Sequence, residues 1–149
     1  MNNNFINDNK KNNNDIIKNQ EIKYSNGRYF GQVVNGLAEG RGIKYYDNRN
    51  RYEGEYRNDK KEGKGIFYWN HGNRYEGHFK KYKGEWKGIF YWNDGDRYEG
   101  DFKNGKREGK GIMYYNNGDR QMGDFYNDNP IGKHVKLTKD GKVEVENYN

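Results

Sequence analysis

A unit of 23 residues recurs along most of this chain, each copy opening on tyrosine and placing glycine two positions later. Tyr29, Tyr52, Tyr75 and Tyr98 begin successive copies, and Gln121 begins a degenerate one. Gly31, Gly54, Gly77, Gly100 and Gly123 follow in register, so five units cover 29–51, 52–74, 75–97, 98–120 and 121–143. A short tandem unit cannot bury its apolar face alone and must stack on its neighbours. Such an array leaves little room for a buried catalytic pocket.

The unit itself reads as strands. In YEGEYRNDKKEGKGIFYWNHGNR, Tyr52, Gly54 and Tyr56 alternate with Glu53, Glu55 and Arg57, the period of a strand with one wet face. Asn58–Gly63 is polar and turn-prone, and Gly65–Trp69 is β-branched and aromatic, a second strand. Asn70–Asn73 makes the return turn. The prediction is all-β: one elongated, open antiparallel sheet of tandem hairpins, ten or more strands long. At about 4.8 Å per strand each unit advances about 10 Å. Gly72, Gly95, Gly118 and Gly141 fall where a turn needs positive φ. Gly54 and its equivalents, inside a strand, suggest a bulge or a ring lying across bare backbone, with Gly65, Gly88 and Gly111 opposite them.

Composition sets what such a sheet can bury. Only 30% of the 149 residues are hydrophobic and 34% are charged, with a mean hydropathy of −1.57. Yet 17% are aromatic, enough for a thin sheet held by ring packing. Residues 1–21, rich in Asn and Lys, are expected to be disordered. Residues 22–28 resemble the closing half of a unit and are expected to cap the array, while 144–149 are an edge strand or tail, the alternation starting at Lys142. With no Cys, disulfides, zinc–thiolate sites and palmitoylation are excluded. No apolar run approaches the roughly 20 residues of a membrane span, and no secretory leader is recognisable. The expectation is an intracellular, cytoplasmic protein, in a cytoskeletal assembly or at the cytoplasmic face of a membrane.

The repeats YEGEYRNDKKEGKGIFYWNHG at Tyr52–Gly72 and YEGDFKNGKREGKGIMYYNNG at Tyr98–Gly118 resemble the MORN (membrane occupation and recognition nexus) family. The resemblance implies a binding scaffold. MORN arrays occur in lipid kinases, junctophilins, radial-spoke heads and cytoskeletal scaffolds, and are associated with membrane attachment, peptide binding along a sheet groove and homodimerisation. Two copies depart from the pattern. The third has Trp86 where Gly63 and Gly109 stand, with Gly84 two places early, so its hairpin turn should be altered and Trp86 is expected to repack locally, the alternative being that it protrudes. The fifth has Gln121 and Met122 for Tyr-Glu, His134 where Gly111 stands, and the sole proline, Pro130; it reads as a cap.

Nothing in the chain converges as a catalytic constellation. His71 lies in a turn, His78 on a charged strand face and His134 in the cap, with no Ser/His/Asp order, HExxH or P-loop. Asn93–Asp96 lacks calcium-loop spacing and reads as a polar turn. No enzyme activity, cofactor or metal is expected.

Two ladders remain. The rings Tyr52, Tyr56, Tyr75, Phe79, Trp86, Trp92, Tyr98 and Phe102 are candidates for partner binding in a groove floored by glycine. The same rings are also the only available core, so both roles are expected, and the face carrying the groove stays open. The cations Arg51, Lys64, Arg74, Lys87, Arg97, Lys110 and Arg120 form columns that could meet phosphoinositide headgroups, in keeping with the net charge of +6. Acids recur in phase with them, Glu53, Glu76 and Glu99 among others, so local pairing is the favoured reading. Interleaved acids also argue against nucleic acid. The function expected is a protein- or peptide-binding scaffold; the alternatives are a peripheral binder of anionic membranes and a targeting subunit for a separate enzyme. Open sheet edges allow a homodimer through the terminal repeats.

Overall fold

The computed structural model describes residues 18–149. They form one sheet whose spatial order is the sequence order. The strands are β1 (Lys18–Tyr24), β2 (Gly27–Val34), β3 (Leu37–Tyr46), β4 (Arg51–Arg57), β5 (Lys60–Tyr68) and β6 (Arg74–Lys80). The sheet continues through β7 (Lys83–Tyr91), β8 (Arg97–Lys103), β9 (Lys106–Tyr114), β10 (Arg120–Tyr126), β11 (Asn129–Leu137) and β12 (Val143–Tyr148). Adjacent strands pair antiparallel, leaving β1 and β12 as the two edges.

Two boundaries differ from the sequence reading. The hairpin turn is two residues, not six. Asn58–Asp59 and Asn127–Asp128 take positive φ at both positions, a turn whose twist matches the strands it joins. Because Asn-Asp closes the hairpin alone, Lys60–Gly63 is already strand, with a bulge opposite Glu55. In unit three Lys81 and Tyr82 adopt the same two-residue conformation (φ 48° and 79°), so the turn geometry there is kept despite its residues. At the N-terminal end, residues 18–21 are strand rather than disordered. They pair with Val33–Phe30 because the outer edge of β2 would otherwise leave its backbone groups unpaired. The rest of the segment expected to be disordered, 1–17, lies outside the described residues.

The core is built on a row of nine glycines. Gly31, Gly42, Gly54, Gly65, Gly77, Gly88, Gly100, Gly111 and Gly123 stand directly opposite one another across strands β2 to β10. On one face the rings of Tyr29, Tyr52, Tyr75 and Tyr98 lie across this row. A β-carbon on Gly42, Gly65 or Gly111 would fall inside the ring above it. Each hydroxyl donates to the carbonyl three residues on, at 2.8 Å for Tyr29 to Gln32 and 3.1 Å for Tyr52 to Glu55. The same bonds run from Tyr75 to His78 and from Tyr98 to Asp101, both at 3.2 Å. The hydroxyl end is thereby satisfied while the ring is buried. Edge-to-face contacts link units: Tyr52 meets Phe79, Tyr75 meets Phe102 and Tyr98 meets Phe125, at 4.9–5.0 Å.

Unit five keeps this architecture with exchanged parts. Gln121 has no ring to lay over Gly123, and His134, on the facing strand, covers it instead. His134 is wholly buried, and its Nε2 lies 2.9 Å from the carbonyl of Asp124, the position bonded by tyrosine hydroxyls elsewhere. Gln121 in turn bonds Tyr115, Glu146 and Tyr148, tying in β12. The loss of one ring and the gain of the other are one compensated change.

At the return turns, asparagine amides form a second ladder: Asn70 to Asn50 and Asn48, Asn93 to Asn73 and His71, Asn116 to Asp96 and Asp94. The Asn93–Asp96 segment therefore links turns, and Gly72, Gly95, Gly118 and Gly141 adopt the positive φ expected of them.

Two results should follow. Gly65→Ala, which drives a methyl into the Tyr52 ring, should lower stability by about 2 kcal/mol or more. Gly36→Ala, strained in φ but with open space around it, should cost only about 1 kcal/mol; urea unfolding compares them. His134→Gly should cost about 2–4 kcal/mol. Adding Gln121→Tyr should restore part of that loss, with a coupling energy of about 1–3 kcal/mol in a double-mutant cycle.

Candidate functional site

The face opposite the tyrosines carries a long trough of about 1550 Å³ running across the strands. Its floor is the glycine row, bare of side chains on this side as well. One wall is the row Phe30, Ile43, Glu53, Ile66, Glu76, Ile89, Glu99, Ile112 and Met122, each opposite the next on adjacent strands. The other wall alternates Arg41, Glu55, Lys64, His78, Lys87, Asp101, Lys110 and Asp124. Isoleucine recurs on one side and a cation on the other once per unit. Both patterns follow from the two-residue period of the strands: what is out of phase with Tyr and Gly faces the trough.

Seven of the eight rings read from the sequence as partner-binding do not face this trough. Tyr52, Tyr56, Tyr75, Phe79, Tyr98 and Phe102 are buried on the opposite face, packed against glycine backbone and one another. A single sheet has no second layer to cover bare glycine, so the rings are spent on that task. Burial pushes the Tyr98 hydroxyl up to about 12, as it does that of Tyr29. Of the eight, Trp92 is half-buried on the tyrosine face and Trp86 is 56% exposed. Trp86 stands where sibling units have Gly40, Gly63 and Gly109, and it shares their left-handed backbone (φ 58°). That conformation costs about 1–2 kcal/mol in a residue with a β-carbon. Its ring lies edge-on to His78, 5.8 Å away, beside the trough.

The basic columns are largely engaged. Arg51, Arg74 and Arg97 stack on Tyr68, Tyr91 and Tyr114 at 4.0–4.1 Å. They pair with Glu53 at 2.7 Å and with Glu76 and Glu99 at 3.9 Å. Lys87 reaches Asp101 at 2.6 Å. Lys64, Lys110 and Arg120 are exposed. Local pairing, favoured from the sequence, is thus the arrangement of four of the seven cations. Among the described residues, no group of three or more His, Asp or Glu is placed to hold a metal. Nor, among them, is any helix long and apolar enough to cross a membrane.

The tyrosine face holds a cation that sequence reading missed. Lys61, in the segment read as a turn, lays its ammonium over Phe67 at 4.3 Å and lies within 6 Å of Tyr52, Phe79 and Tyr46. Burial, with a smaller effect of Lys44, pushes it down to about 8. Its register opposite Tyr56 was hidden by the bulge.

In sequence, the family model for the MORN repeat matches residues 29–51, 52–74, 75–97 and 98–120. Unit five falls outside that match. No curated protein matches the chain. Among solved structures, the SAS-4 (dCPAP) TCP domain in complex with a proline-rich motif of Ana2 (dSTIL), from Drosophila melanogaster, is similar over 87% of this chain and 90% of that one. Identity is 12% and the TM-score 0.41, a loose likeness of fold.

Because the folded pKa of Lys61 lies below its unfolded value, the unfolded chain binds more protons between them, and stability rises with pH across that interval. From about pH 7.5 to about 9.5, below the titration of unfolded tyrosine, the urea midpoint of the wild type should rise. That of Lys61→Met should rise less, the remainder coming from Lys44, whose proton affinity burial also lowers.

Proposed function

Since the chain belongs to the MORN repeat family, we propose that it is a non-enzymatic repeat scaffold whose trough holds a polypeptide segment of a partner protein. The observation that carries this reading is the regular furnishing of the trough: an isoleucine on one wall and a cation on the other, repeated every two strands above a floor without side chains. Its assembly is cytoskeletal or membrane-associated in this proposal.

The repeat distance specifies the ligand. One unit spans two strands, about 10 Å. A segment in the polyproline II conformation rises about 3.1 Å per residue and returns to the same side every third residue. A helix rises 1.5 Å per residue and does so about every seventh. An occupant would set apolar side chains along the isoleucine wall at one of these periods and acidic groups toward Lys64 and Lys110. The membrane reading has less support, because Arg51, Arg74 and Arg97 already have glutamate partners, and exposed pairs of that kind leave little net charge to offer.

A photo-crosslinking residue installed at Ile89 should capture a partner in cells, while one at the turn residue His71 should not. The captured segment should show apolar side chains at period three or seven. Capture should vanish in an Ile66→Lys/Ile89→Lys chain that keeps its β-sheet circular dichroism. Trp86→Gly should raise the thermal midpoint by a few degrees, relieving about 1 kcal/mol of backbone strain, while weakening capture. Equal capture from Ile89 and His71 would rule the trough out.

A further inference from the structure

The trough repeats, and repetition alone gives an occupant nowhere in particular to stop. A segment that fits one unit fits the next, about 10 Å further on. Charge on the second wall breaks this equivalence in unit three. Glu55 stands opposite Arg41, Asp101 opposite Lys87 and Asp124 opposite Lys110. The residue opposite Lys64 is His78. Lys64, His78 and Lys87 therefore follow one another along the wall with no acid between them. Lys87 reaches forward to Asp101, whereas Lys64 is exposed and has no ion pair among the described residues. Glu85, opposite His78 on β7, accepts from the backbone N–H of Asn104 at 3.1 Å. On the first wall, Glu53 and Glu76 are held by Arg51 and Arg74. The missing acid and Trp86 have one cause. A β-carbon on Gly63 would fall 2.2 Å from the Glu55 carboxylate, and one on Gly109 3.3 Å from that of Asp101. Trp86 carries that β-carbon, so a carboxylate has no room there, and the His78 imidazole meets the indole instead. Nothing in the chain restores the lost charge, and the indole stays exposed.

We propose that this break sets the register of the partner segment. One Asp or Glu of the segment seats its carboxylate at His78, between Lys64 and Lys87, and an apolar residue beside it covers the Trp86 indole. The carboxylate supplies from outside the charge that Glu55 and Asp101 supply from within. The inference rests on the reading of the trough as a polypeptide site. It adds the repeat at which the polypeptide is anchored and the residue type that anchors it. Opposed charges fix a register chiefly by penalising the wrong ones. Slid by one unit in either direction, the same carboxylate would meet Glu55 or Asp101 in place of His78. Lys110, with Asp101 and Asp124 on either side of it, is a poorer seat.

The test selects displayed random peptides of about twenty residues, long enough to cross three units even as a helix. Selection runs on the full chain and, in parallel, on His78→Asp/Trp86→Gly, which gives unit three the residues of unit four at these positions. Binders that Ile66→Lys/Ile89→Lys fails to retain are the ones that use the trough. Those selected on the wild type should share one Asp or Glu. Changing it to Asn or Gln should weaken binding to the wild type by about fivefold, and binding to His78→Asp/Trp86→Gly not at all. Lys64→Gln, an exposed change that leaves the packing alone, should reduce the fivefold effect to about twofold. A nitroxide on the residue after that acid should broaden the amides of Gly77 and Gly88 ahead of those of Gly42 and Gly111. Trough binders with no shared acid, an equal effect of the acid on both chains, or broadening spread evenly along the glycine row would overturn the register and leave the trough reading standing. If no binder depends on the trough, that reading falls and the register with it.

Discussion

A tyrosine ring laid over paired glycines is the contact on which the rest of this molecule depends. A lone sheet has no helix or second sheet to cover it, and the chain has few aliphatic residues with which to build one. The solution is to remove side chains along one line of the sheet and fold an aromatic residue of the same unit into the space. Each ring then contacts backbone on its flat face and the Phe or Tyr of an adjoining unit at its edge. The row of nine glycines is the structural requirement that fixes the 23-residue period, since any β-carbon in it would collide with a ring or with the facing backbone.

That requirement divides the two faces. On the tyrosine face, contacts are internal and the rings are used up, except where unit three lacks a side chain. On the opposite face nothing covers the sheet, and the side chains there satisfy themselves sideways, arginine against glutamate and arginine over tyrosine. The resulting trough is bordered by groups that repeat at the spacing of the array and is floored by backbone. Its surface is regular enough to meet a long periodic segment and too shallow to enclose a small molecule.

Much of this was legible in the sequence, for identifiable reasons. The strand pairs and the open single sheet follow from spacing, because a period of two within a period of 23 leaves few other arrangements; the ring over glycine was one of two readings of the strand glycines, the other being a bulge. Turn glycines were legible because positive φ has few tolerant residues. The face of the groove was not. Alternation shows which residues share a side, and it cannot show which side has been used up; that depended on the tyrosines reaching across Gly54 and Gly65 rather than outward. Lys61 and His134 were hidden for another reason. Each departs from its repeat in a way that matters only through a partner on a neighbouring strand, Tyr52 and Phe67 for one, Gly123 and Gln121 for the other.

Departures from the repeat therefore carry different meanings according to whether a second change answers them. His134 and Gln121 answer each other: the ring lost at one position returns at the other, the same carbonyl is bonded, and the core closes. Gly84 is unanswered. The Tyr75 ring leans over it, Lys61 and Lys83 line the small cavity that remains, and Gly105 offers no carboxylate where Asp128 serves Arg107. Trp86 is unanswered too, a large exposed ring held in a conformation that costs energy where every sibling unit has glycine. Both fall in unit three, two residues apart, and they open on opposite faces of the sheet. A compensated change serves the fold. An uncompensated pair in one repeat, at a cost in strain and in buried contact, is the mark of a unit shaped for something outside the chain.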